Sequence, residues 1–323
     1  MKKLSWRVLF LLFLLLISGG VCYQSAATII DQQRYPHPGK LFDVGGYKLH
    51  LHTAGSGSPT VVMDSGLRGY SLSWYGVEAE LAKITRVCTY DRAGLGWSEP
   101  GPLPRTSQQI VNELHTLLAK ADIPGPYILV GHSFGGLNMR LYASQFPQEV
   151  LGLVLIDSPP DQIADYFPEL MNKIQIAQRL LLNFGRLTAP IGITRLLNWP
   201  MSPLNLPGEI QPIASARGFR LPAYDTTYEE TVSLPISIQQ LRHAQLPSAM
   251  PIKVLIHTRP YSVFGVSAEE ARRVEEVWRD LALRELSPHN IIMVKGDHNL
   301  HIKQPQIVIN AVNELIEEIK AQQ

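Results

Sequence analysis

Residues 127–130 form an apolar run that leads into Gly131-His132-Ser133-Phe134-Gly135, and a helical pattern leaves it. A strand that turns at once into a helix around a serine leaves little room. Side chains at 131 and 135 would collide where strand and helix approach, so glycine suits both positions. Such a turn holds the serine in strained backbone angles and exposes its hydroxyl at the carboxyl end of a sheet. With 24 Gly and 21 Ser among 323 residues, the bare Gly-x-Ser-x-Gly pattern is expected about 0.1 times by chance. The flanking strand and helix patterns therefore matter as much as the pentapeptide.

The rest of the chain repeats that alternation. Strand patterns occur at residues 40–44, 47–53, 60–64, 86–90, 127–130, 150–156, 252–257 and 290–295. Helical apolar spacing occurs at 72–84, 107–121, 137–146, 268–286 and 304–321. This order predicts an α/β fold with a mostly parallel sheet and helices on both faces. Gly45-Gly46 joins the first two strands as a hairpin, which adds an antiparallel edge.

Between residues 158 and 249 the alternation stops, and prolines and apolar clusters such as Tyr166-Phe167, 174–184, 191–199 and 204–206 take over. Residues 159–249 read as an inserted helical cap, with Leu180 to Trp199 expected in its buried core rather than against a membrane. Apolar residues make up 45% of the chain, enough for a large core, and the net charge of +1 points to no nucleic acid or acidic partner. The two cysteines, Cys22 and Cys88, form no disulfide framework or metal motif, and Cys88 reads as a core residue.

The N-terminus is special. Lys2, Lys3 and Arg7 precede an apolar run over residues 8–17, and Ser25-Ala26-Ala27 offers a cleavage site. Residues 1–27 read as a signal peptide or a membrane anchor, with 8–23 slightly short of a comfortable span. In both cases the remainder is exported. Residues 28–39, with Pro36-His37-Pro38-Gly39, read as a tether.

Two further motifs make the pattern specific. Asp91-Arg92-Ala93-Gly94-Leu95-Gly96-Trp97-Ser98 precedes the serine turn, and Gly296-Asp297-His298 follows the last strand. Over about residues 40–320 the chain resembles the α/β-hydrolase superfamily, in particular its capped esterase-like and prolyl aminopeptidase-like members. The resemblance implies a core of residues 40–158 and 250–323 and a Ser–acid–His order of catalytic groups. Members that open epoxides or remove halides use Asp at the turn, so Ser133 points to acyl chemistry.

A serine hydroxyl needs a base to become a nucleophile. His298 is the candidate base, with His301 as the runner-up. The acid usually follows the strand after the cap, but residues 255–265 contain no Asp or Glu. Some members place it after the preceding strand, where Asp157 stands, with Asp161 and Asp297 as fallbacks. Asp297 adjoins His298 and is expected to point away from it. The oxyanion is expected to meet the backbone N–H groups of Phe134 and of Leu67, in the loop Asp64-Ser65-Gly66-Leu67. Asp91 and Arg92 are expected to order loops, and Trp74 and Trp97 either line the pocket or pack in the core.

The first expectation is therefore a carboxylesterase-like serine hydrolase for a small, hydrophobic acyl substrate, with no metal or cofactor required. Aminopeptidase activity is the alternative, and it would need cap carboxylates for a free amine. Glu169, Glu209, Glu229 and Glu230 are available but expected at the surface. A non-catalytic exported ligand-binding protein is the alternative of another class.

Overall fold

The computed structural model describes residues 5–203, 205–259, 266–285 and 290–321. Lys2, Lys3, Leu204, Leu286 and residues 260–265 of the stretch after the cap lie outside the described residues. Among the described residues, eight strands form one sheet: β1 (Lys40–Asp43), β2 (Lys48–Ala54), β3 (Thr60–Asp64), β4 (Val87–Tyr90), β5 (Tyr127–His132), β6 (Val150–Ile156), β7 (Ile252–His257) and β8 (Ile291–Val294). Their order is β1-β2-β4-β3-β5-β6-β7-β8. β1 and β2 pair as the hairpin that Gly45-Gly46 implies, β2 runs antiparallel to β4, and all other pairs are parallel.

Successive residues of the central strands enter different cores, because side chains alternate across a sheet. Val62, Leu129 and Leu153 pack with Ile110, Leu114 and Leu117 of α3 (Ser107–Lys120) and with Leu137 and Met139 of α4 (Phe134–Gln145). Val61, Ile128 and Val154 pack on the other face with Val77 and Leu81 of α2 (Tyr75–Leu81) and with Val308, Val312 and Leu315 of α12 (Pro305–Ala321). Burial on both faces explains why these strands read as continuous apolar runs. The helix expected at 137–146 begins earlier, directly after Ser133.

Between β6 and β7 the regular elements among the described residues are helices: α5 (Ile163–Tyr166), α6 (Pro168–Thr188), α7 (Ile193–Leu196), α8 (Gln211–Gly218) and α9 (Leu221–Arg242), with a short turn at Ala189–Ile191. This inserted cap shares a small core with the loops beneath it, where Tyr70 and Leu95 meet Leu182, Ala214 and Tyr224. Two expectations change here. Glu230 is not at the surface but fully buried on α9, held by Arg92. Residues 180–199 split: Leu182 and Ala189 are buried, whereas Leu180, Leu181, Phe184, Leu187, Leu196 and Leu197 face outward.

The N-terminal segment also differs from expectation. α1 (Trp6–Arg34) is one helix of 29 residues, long and apolar enough to cross a membrane, with a mean hydropathy of 2.0 over its most apolar stretch. Residues 28–34 continue it rather than forming a tether, and Ser25-Ala26-Ala27 lies within it. The reason is tertiary. Gln24 Nε2 donates to the Phe219 carbonyl at 2.9 Å, and Arg195 pairs with Asp31 at 2.7 Å, so the cap holds this stretch in helical form. After β7 come α10 (Ala268–Glu285) and the short α11 (Leu300–Lys303).

Candidate active site

Four neighbouring parallel strands deliver side chains to one rim. β5, β6, β7 and β8 lie side by side, so the loops leaving them share the carboxyl edge of the sheet, where ligands of open α/β folds collect. Ser133 follows β5, Asp157 follows β6, His257 ends β7, and His298 follows β8 through Lys295-Gly296-Asp297.

Ser133 adopts φ 52° and ψ −120°, a left-handed conformation that costs energy for a residue with a Cβ. Its N–H donates to the Ile156 carbonyl at 2.9 Å, tying the turn to β6. A Cβ on Gly131 would stand 2.5 Å from Gly136 Cα, and one on Gly135 would stand 2.4 Å from the Asp64 carbonyl oxygen. Both glycines are thus required by contact. α4 begins at Phe134, whose N–H belongs to the first turn, where helix donors lack intrahelical partners. The positive end of that helix faces the serine.

The Leu67 loop lies against this turn. A Cβ on Gly66 would stand 2.9 Å from His132 Nδ1 and 3.2 Å from Ser133 Cβ. Arg92 fixes the loop from below, donating to the carbonyls of Ser65 (2.6 Å) and Gly66 (2.8 Å). The same guanidinium pairs with Asp64 (2.7 Å) and with Glu230 (2.6 and 3.0 Å). Burial works against its charge, but the carboxylates of Glu230 and Asp64 outweigh burial and hold it protonated. Asp91 accepts from the backbone N–H groups of Ser71 and Trp97, both at 2.8 Å. Asp91 and Arg92 therefore order loops, as the sequence suggested. Trp74 is fully buried in the core, and Trp97 donates its indole N–H to Tyr35, so both are packing residues.

Asp157 is completely buried and meets two imidazoles, one on each oxygen. Oδ2 accepts from His298 Nδ1, and Oδ1 accepts from His257 Nδ1 at 2.6 Å. Burial alone would raise its pKa, but the hydrogen bonds from His257 and His298 and their charge prevail and hold the carboxyl well below its usual range. An ionised carboxylate only accepts, so both rings must carry their protons on Nδ1. In neutral His298 the lone pair is then on Nε2.

The other candidates lie elsewhere. Asp297 turns away from His298 to Lys303 (2.5 Å) and to the Asn299 N–H (3.1 Å). Asp161 enters the cap, its carbonyl bonded to Arg242. His301 sits on α11, buried, with its ring 4.0 Å from His132 and 4.7 Å from Trp74.

Two histidines escaped the sequence reading. His257 stands at the end of the strand after the cap, the place searched for an acid; only its position there could have signalled it. His132, inside the pentapeptide, bonds through Nε2 to the His298 carbonyl at 2.8 Å. A carbonyl only accepts, so Nε2 carries the proton. Burial and the nearby His298 push His132 down to about 3, and burial beside His132 and His298 also keeps His301 neutral. His257 is shifted upward: burial opposes its charge, but Asp157 and Glu275 outweigh burial.

Asp157, His257 and His298 offer ligand atoms within 4.8 Å of one another, the one such metal-competent group among the described residues. Their Nδ1 protons occupy the space between them, so a cation could enter only by displacing both. A cavity of about 510 Å³ opens beside the rim, lined by Arg140, Ser158, Asp161, Leu241, Met250 and Asn290 among others. Neither Ser133 nor His298 lines it, so it is not where a substrate carbonyl would meet the serine.

Comparisons with known proteins agree with this fold. A family model described as alpha/beta hydrolase fold matches residues 59–235. Uncharacterized protein YqjL of Bacillus subtilis is 33% identical over 145 residues, covering 44% of this chain and 57% of that protein. An uncharacterized protein of Schizosaccharomyces pombe is 28% identical over 233 residues, 71% of this chain and 42% of that protein. The chain thus spans roughly half the length of these curated relatives. Among solved structures, a putative epoxide hydrolase from Pseudomonas aeruginosa superposes with a TM-score of 0.64 at 17% identity, covering 87% of this chain and 96% of that one. A thermophilic esterase from Thermogutta terrifontis gives 0.60 at 19%, covering 87% and 98%. A putative lipase from Acinetobacter baumannii gives 0.61 at 19%, covering 93% and 97%. At these identities the structural likeness speaks to the fold alone.

Proposed function

Because this chain belongs to the α/β-hydrolase fold family, we propose that it is a serine hydrolase that cleaves a carboxylic ester through an acyl-serine intermediate. One observation carries the reading: Asp157 holds His298 in the Nδ1–H tautomer, which leaves Nε2 as the proton acceptor. Ser133 Oγ attacks the ester carbonyl carbon while its proton passes to His298 Nε2. Negative charge gathers on the carbonyl oxygen, and the N–H groups of Phe134 and Leu67 are assigned to meet it. The imidazolium then protonates the departing alkoxide, leaving Ser133 acylated. Water, deprotonated by the same nitrogen, releases the acid and restores the serine. No step calls for a metal or cofactor.

Ser133, where epoxide-opening members of the superfamily use Asp, favours the chemistry named for the esterase and lipase neighbours over that of the putative epoxide hydrolase. The aminopeptidase alternative loses support because Glu230, the buried one of the four cap glutamates considered for an amine, is already neutralised by Arg92. Residues 159–249 are assigned as the cap over a core of 40–158 and 250–323, and its apolar core favours a small hydrophobic acyl substrate. The N-terminal helix supports export with the hydrolase portion outside the cytoplasm.

Labelling with a fluorophosphonate and hydrolysis of p-nitrophenyl esters of graded chain length test the reading. Stoichiometric labelling that vanishes in Ser133→Ala is expected. Labelling that survives that substitution, or no labelling of the native protein, would overturn it and leave the non-catalytic binding alternative.

A further inference from the structure

The cap presents an apolar face that its own core does not use. α6 buries Leu170, Leu182 and Gly185. Yet Ile176, Leu180, Phe184 and Leu187 recur at helical spacing on another face and are 49%, 67%, 47% and 78% exposed. Leu196 and Leu197, past the next turn, are 72% and 61% exposed. Exposed large apolar side chains grouped on one helix face in this way mark an interaction site.

α1 indicates what covers it. Its second half is docked on the cap at the turn that separates Leu187 from Leu196. A Cβ on Gly20 would stand 2.5 Å from the Ile191 carbonyl oxygen, and one on Gly192 would stand 2.8 Å from the Tyr23 ring. The Gln24–Phe219 and Arg195–Asp31 bonds lock this junction, and Arg217 adds bonds to the carbonyls of Asp31 and Tyr35. The first half projects away from the protein, with Leu9, Phe10, Leu11, Phe13, Leu15 and Leu16 each more than half exposed.

Length then decides the geometry. The fourteen helical residues from Trp6 to Gly19 rise about 21 Å at 1.5 Å each, less than the roughly 30 Å of a hydrocarbon core. A helix that crosses must therefore sink to the level of Gly20 to Gln24, and that is where the cap is docked. In the sequence, Lys2 and Lys3 precede the apolar run. We propose that α1 stays attached and that the cap rests on the bilayer α1 crosses, with Leu180, Leu187, Leu196 and Leu197 seated at the boundary of headgroups and acyl chains. The partner is a lipid surface. Removal of α1 at Ala27 would strip away the Gly20, Tyr23 and Gln24 contacts that set this orientation.

The test uses the full chain in phosphatidylethanolamine–phosphatidylglycerol vesicles and needs no enzymatic activity, so it stands or falls apart from the hydrolase reading. In a Cys22→Ser background, where the other cysteine, Cys88, is fully buried, accessible cysteines are placed one at a time by Leu187→Cys and Leu197→Cys and carry an environment-sensitive fluorophore. Lys120→Cys, at the exposed end of α3, and Leu12→Cys, in α1, serve as references. Lipids brominated on their acyl chains are expected to quench the labels at 187 and 197 at least threefold more than the label at 120, with iodide in solution giving the reverse order. Quenching at 12 with 187 and 197 behaving like 120 would mean an anchored protein whose cap stands off the membrane, overturning the proposal. Absence of quenching at 12, or recovery of protein lacking α1, would overturn it as well.

Discussion

Asp157→Asn probes the site where it is most tightly constrained. The carboxylate serves two Nδ1–H donors, one per oxygen. The amide keeps one acceptor and turns its other end into a donor. Whichever ring faces the amide nitrogen must move its proton to Nε2. When that ring is His298, the base is lost. The expected fall in kcat is on the order of 10⁴, equivalent to about 5 kcal/mol of barrier. The fold is expected to persist, since burying a neutral amide removes a desolvation cost that offsets the lost charge-assisted bonds. The competition between two donors also predicts a rescue. In the double variant Asp157→Asn/His257→Leu only His298 seeks the remaining oxygen. Relief of one competing hydrogen bond, worth about 0.5–1.5 kcal/mol, corresponds to a recovery of roughly 2- to 10-fold over the single variant. Initial rates on a short p-nitrophenyl ester, with circular dichroism to confirm folding, give the comparison. Full activity in Asp157→Asn would exclude Asp157 as the acid. Equal rates in the single and double variants would refute the two-donor argument.

Other outcomes follow from the same geometry. His257 has a raised folded pKa, so its stabilisation is fully present below the unfolded value of about 6.5 and fades as pH rises through the folded value; His257→Leu should lower Tm more near pH 5.5 than near pH 9, and equal losses would contradict the pairing. His132, at about 3, and His301, shifted well down, are buried neutral. The unfolded chain therefore takes up more protons, and denaturant-measured stability should fall as pH drops from about 6.5 towards 3, less steeply in His301→Phe; identical slopes would refute this. Arg92→Lys replaces a forked donor with a point charge between two buried carboxylates. It should cost about 3–5 kcal/mol in unfolding free energy and lower kcat through the 65–67 loop, whereas an unchanged denaturation midpoint would remove Arg92 from its assigned place.

The strands and the serine turn are legible in the order of amino acids alone, because those features are local. β3, β6 and β7 begin and end where their apolar runs do, and the glycines at 131 and 135 stand where the turn leaves no space for a side chain. The family resemblance pointed to Asp157, which follows one apolar strand while no carboxylate follows the next within residues 255–265. Features that depend on neighbours distant in the chain emerge only on folding. Only the order β6-β7-β8 brings His257 to the second oxygen of Asp157, and a histidine ending a strand announces no partner 100 residues away. Glu230 looked like a surface residue until Arg92, 138 residues earlier, claimed it under the cap. α6 has apolar residues on two faces, and periodicity cannot say which face the protein covers. α1 runs on to Arg34 because cap side chains satisfy its polar groups, an arrangement that exists only once the chain has folded.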